Sequence, residues 1–128
     1  MKAGIRIIAM ITLLVTACKM STHTLDGRTY QLSVWDVNHP EKKDPDVISF
    51  SKNKLDSESC HQYGFTEGSC VVNFKNGIYS FNSTIKSPNE GEINITGSVE
   101  GEKIYGNMIW IKSGQADINY AYSGSLIK

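Results

Sequence analysis

Residues 92–111 read EINITGSVEGEKIYGNMIWI, and their alternation decides the fold. Ile93, Ile95 and Val99 share one phase, and after the turn Glu100-Gly101-Glu102 the residues Ile104, Met108 and Trp110 share another. Period-two alternation is the mark of a strand with one buried face. Two such strands across a short glycine-bearing turn make an antiparallel hairpin. Gly97 and Gly106 fall on the apolar phase, as does Gly124 further on. An inward glycine in a strand marks sharp bending or close backbone approach, as at the corners of a small barrel.

The same pattern extends in both directions. Toward the C-terminus, residues 117–127 place Ile118, Tyr120, Tyr122 and Leu126 in phase. Toward the N-terminus, residues 78–85 and 70–74 flank Asn76-Gly77, the strongest short hairpin signal. Residues 55–60 and 46–50 read as strands about Lys52-Asn53, and residues 29–37 place Tyr30, Leu32 and Val34 on one face. Between these last two lies the loop 38–46, with two prolines and several charges. The total is about eight strands, and no apolar stripe of helical period occurs after the first seventeen residues. An all-β chain with this spacing is predicted to form a small antiparallel barrel, the alternative being a two-sheet sandwich.

Residues 1–17 are a processing segment. Lys2 and Arg6 precede a short apolar run, and small residues then lead to Cys18. The run is too short to span a bilayer and has the form of a signal peptide. Val15-Thr16-Ala17-Cys18 resembles the lipobox of bacterial lipoproteins. That resemblance implies cleavage before Cys18, lipidation of Cys18, and a membrane anchor of several acyl chains. Residues 18–23 are then a tether and 24–128 the barrel domain. Lys19 stands where an inner-membrane retention signal would place aspartate, so the expected location is the cell envelope at the outer membrane.

Removing Lys2 and Arg6 leaves eleven basic residues against thirteen acidic, a net charge of about −2. Arg28 is the one arginine left, so the side chain best suited to phosphate and base-edge contacts is nearly missing. Nucleic acid is therefore not an expected partner.

Several stretches together resemble a group of bacterial secreted proteins and lipoproteins with lipocalin-like barrels and no assigned activity. They are LDGRTY at 25–30, SESCHQYGF at 57–65, GSVEG at 97–101, IYG at 104–106, MIWIKSGQ at 108–115 and YAYSG at 120–124. The resemblance implies a calycin-type barrel and brings no catalytic residues. It lacks the G-x-W signature of true lipocalins near the first strand, Trp35 lying in the context Val34-Trp35-Asp36. Fold by itself does not confer carriage of a ligand.

With Cys18 acylated, Cys60 and Cys70 form an even pair in an oxidising compartment, and a disulfide closing the loop CHQYGFTEGSC is the expected state. In the resembling proteins an aromatic is expected at position 70, so the bridge is read from this chain alone. Free thiols are the first alternative. A metal site from Cys60, His61 and Cys70 has none of the usual zinc spacings, and no C-x-x-C motif is present. No metal and no cofactor are expected. The histidines are scattered and no G-x-S-x-G elbow occurs, so no catalytic residues are assigned and the protein is not expected to be an enzyme.

The aromatic set remains. If Tyr30, Trp110, Tyr120 and Tyr122 converge they line a cavity for a small hydrophobic ligand; the alternative is that they fill the barrel. The functional expectation is a lipid-anchored envelope binding module for such a ligand. The alternative is an envelope structural or inhibitor-like protein with a packed barrel, binding a protein partner through loops 38–46 and 60–70.

Overall fold

A computed structural model describes residues 23–128; the signal segment, Cys18 and nearly all of the expected tether lie outside the described residues. The described chain is a closed antiparallel barrel whose strands neighbour one another in sequence order, the last pairing with the first. These are β1 (Thr29–Asp36), β2 (Asp44–Ser51), β3 (Lys54–Ser57), β4 (Gly68–Lys75), β5 (Ile78–Ser87), β6 (Gly91–Glu100), β7 (Lys103–Ile111) and β8 (Ile118–Leu126). Pairing the last strand with the first removes the two outer edges of an antiparallel meander. The sandwich alternative is set aside by the β1–β8 ladder, which runs from Tyr30↔Leu126 to Asp36↔Tyr120.

The barrel has unlike ends. At one, tight turns join β2 to β3, β4 to β5 and β6 to β7. Lys52 and Asn53 both have positive φ, as do Asn76 and Gly77. Two successive left-handed residues match the twist of a two-residue hairpin, which explains the Asn-Gly signal. The N-terminal segment covers this end, with Leu25 fully buried and Gly27 N–H donating to Phe50 O at 2.7 Å. At the other end, the longer connections 37–43, 58–67, 88–90 and 112–117 surround an opening.

One segment departs from the strand expected over 55–60. β3 stops at Ser57, and Glu58–Tyr63 form a 3₁₀ helix ended by Gly64 in the left-handed conformation. Asp46 on β2 holds the start of this helix: its carboxylate accepts hydrogen bonds from Ser57 Oγ at 2.5 Å, Val47 N–H at 2.7 Å and Ser59 N–H at 2.9 Å. Ser87 on β5 holds the other end, donating to Tyr63 O at 2.7 Å. The helix takes the place of sheet because β3 and β4 pair over only Lys54↔Ser69 and Leu55↔Gly68.

The core lies toward the closed end. Tyr30, Phe50 and Phe81 meet edge to face, with centroids 6.0 and 5.1 Å apart along the series. Tyr122 on β8 lies beside them across β7 and donates its hydroxyl proton to Thr96 O of β6 at 2.8 Å. Gly97 and Gly106, opposite each other on β6 and β7, leave the space for that hydroxyl. A Cβ at either position would overlap the Tyr122 oxygen. The inward glycines thus mark close approach.

Gly97→Ala is expected to destabilise the protein by about 2 kcal/mol through overpacking. Tyr122→Phe, which loses one buried hydrogen bond, should cost about 1 kcal/mol. In the double variant the clash is relieved in part, so denaturant melts should show the two costs adding to less than their sum.

Candidate functional site

Inside the open end lies a cavity of about 770 Å³. Its position follows from register. On three strands the inward residue one step nearer the opening lines the cavity and the next one down is buried in the core: Val34 above Leu32, Ile93 above Ile95 and Tyr120 above Tyr122. On β7, Met108 stands above the half-buried Gly106. Tyr122 and its neighbours are therefore the floor.

The four aromatics expected to converge divide into two pairs. Trp110 and Tyr120 line the cavity. Tyr30 and Tyr122 are fully buried beneath it, in the packed half. Trp110 is fixed by its indole N–H, which donates to Glu90 O at 2.6 Å, while Lys112 sits 3.0 Å from Glu90 Oε1 and 6.0 Å from the Trp110 ring centre. Burial, then the nearby Asp36 carboxylate, raise the Tyr120 phenol above its ordinary range, keeping it protonated at neutral pH. Its hydroxyl has no hydrogen-bond partner among the described residues, so it is available to a bound molecule.

The rest of the wall comes from the 3₁₀ helix and its flanks, through Ser59, Cys60, Tyr63 and Phe65. Sequence reasoning missed this wall. The signal was the run Ser57-Glu58-Ser59, which breaks the alternation one residue before the cysteine.

The expected Cys60–Cys70 disulfide is not formed: both are free thiols. Cys70 N–H donates to Asn53 O at the start of β3, and Cys60 follows the end of β3. Four residues of strand at about 3.3 Å each separate those places by about 13 Å, beyond the Cα separation a disulfide spans. The short sequence distance misled because the helix and β4 travel to opposite ends of β3. Cys60 faces the cavity, its thiol pushed up by burial. Cys70 lies in the core, pushed up to about 11 by burial. Neither is an activated nucleophile.

His61 points away from the cavity, with Nε2 at 2.7 and 2.9 Å from the two Asp56 carboxylate oxygens. That hydrogen bond raises its pKa, although the pair is largely exposed. Among the described residues no three His, Cys, Asp or Glu side chains are grouped to hold a metal ion.

Comparison with protein-family models, with curated proteins and with solved structures finds no match. Of the lipocalin-like features, the structure shows the closed antiparallel eight-stranded barrel.

Alkylation of the denatured protein without reductant should label both Cys60 and Cys70, read by peptide mass; a mass two hydrogens short across the pair would contradict the strand geometry. For His61, proton NMR should give a pKa above the ordinary value of about 6.5, returning to it in Asp56→Asn. The sign follows from a raised folded-state pKa. The ion pair's small contribution to stability is present below the ordinary value and is lost as pH rises through the raised one.

Proposed function

We propose that this chain is a lipid-anchored envelope binding module that holds a small, largely apolar molecule in the open half of its barrel. The supporting observation is the cavity of about 770 Å³, a size typical of small-molecule sites. Its wall combines Val34, Phe65, Ile93, Met108 and Trp110 with a few polar groups, including the Tyr120 hydroxyl. Apolar surface supplies affinity there, and sparse polar groups fix orientation.

The competing reading, a filled barrel that acts on a protein partner through its loops, is less well supported because the open half is not filled. Binding without catalysis agrees with the state of the candidate nucleophiles. The Cys60 thiol is lifted by burial, and His61 engages Asp56 outside the cavity.

Anchoring at Cys18 gives the barrel an orientation. The first described residue, His23, stacks on Phe74 at the closed end, with ring centroids 3.9 Å apart. A chain tethered to the outer membrane through Cys18 would then present its cavity away from the bilayer, so the ligand would be taken from the aqueous compartment.

The neutral probe N-phenyl-1-naphthylamine should bind with increased fluorescence, and Val34→Trp, which fills the cavity from β1, should weaken it about tenfold or more. A folded Val34→Trp variant, checked by circular dichroism, that binds the probe unchanged would place binding elsewhere and overturn the proposal.

A further inference from the structure

The cavity wall carries acid and no base. Asp44, Asp46 and Glu90 contribute carboxylates to it, and among the described residues no lysine, arginine or histidine lines it. Glu90 is compensated by Lys112. Asp46 is only 5 % exposed and is held by three neutral donors, with no cationic partner among the described residues. Asp44 has no ion-pair partner among the described residues either. The adjacent Lys43 is turned away, its Nζ donating to Pro40 O at 2.7 Å and lying 4.3 Å from the Trp35 ring centre. Two negative charges thus stand on the wall without a cation to offset them.

The buried Asp46 carboxylate is weakly screened, and the exposed Asp44 at the mouth adds charge of the same sign. Asp36 adds to the same sign near the Tyr120 hydroxyl. Trp110 and Tyr120 line the site, and aromatic rings attract cations. An anionic headgroup would meet Asp44 and Asp46 with nothing to pair it.

We infer that the cavity is selective for a cationic amphiphile, an apolar body bearing an ammonium-type group, and discriminates against carboxylates such as fatty acids. The inference rests on the ligand-holding reading above and adds the charge class of the ligand. The cavity is the site; the carboxylates decide which molecules of suitable size it retains. The amine sits toward Asp44 and Tyr120 near the mouth, with the chain directed down between Val34, Ile93 and Met108 onto the Tyr122 floor.

The test holds the body constant and changes the head. Decylammonium, decanol and decanoate are titrated against the full chain at neutral pH and low salt, below their micelle concentrations, by calorimetry and Trp fluorescence. Decylammonium is expected to bind about tenfold tighter than decanol, and decanoate about tenfold weaker than decanol. Asp44→Asn, a change at an exposed strand end, should reduce the ammonium-to-alcohol ratio severalfold, and added salt should reduce it in the unmodified chain. Decanol or decanoate binding as tightly as decylammonium would overturn the charge selectivity and leave the cavity reading standing. Failure of all three to bind, together with failure of the neutral naphthylamine probe, would overturn that reading and this inference with it.

Discussion

The hydroxyl of Tyr122 reaching Thr96 O through the gap left by Gly97 and Gly106 is the contact on which this barrel's interior depends. Eight strands enclose a space just wide enough for side chains to fill. The Tyr122 side chain lies along the inner wall, over Gly106 of β7 and onto β6, and fills the level just below the cavity. Beneath Tyr122 the interior is close-packed around Tyr30, Phe50, Phe81 and the β-branched residues of β6 and β7. Above it, the side chains of the wall do not meet across the barrel and leave the cavity. One phenol and two glycines from three strands thereby set the depth of the site.

The second constraint is polar. A strand as short as β3 leaves the barrel wall incomplete near the mouth, and the 3₁₀ helix completes it only because it is tied at both ends. Asp46 satisfies Ser57 and Ser59 at the start of the helix, and Ser87 satisfies Tyr63 O at its end. A buried carboxylate is costly unless its oxygens are hydrogen-bonded, and here three donors meet them. The same carboxylate gives the cavity much of its negative character, so structural support and charge preference come from one residue. Elsewhere on the rim, the Trp110 indole N–H is held by Glu90 O.

Strand number, strand phase and turn positions were legible because a one-sided strand writes its burial at every second residue. Asn76-Gly77 and the in-phase Gly97 and Gly106 carried their meaning locally. The helix at 58–63 was not legible, since six residues are too few to show a helical period and their backbone is secured by Asp46 from another strand. The pairing of Cys60 with Cys70 was misread for a related reason. Ten positions along the chain say nothing of direction, and here the chain crosses the length of β3 between them. The aromatic set divided along the barrel axis for want of any sequence signal for height: phase tells which face a residue takes, and register with neighbouring strands tells how deep it lies.

The sequence by itself therefore determined an all-β antiparallel chain, its inward faces and its hairpins, because these follow from local alternation and from backbone conformations that few residues adopt. The closure of β1 on β8, the free cysteines, the floor at Tyr122 and the acid-lined cavity at one end were decided only by tertiary structure. Each depends on residues distant in the chain meeting at one level of the barrel, and strand register, which local periodicity leaves open, fixes that level.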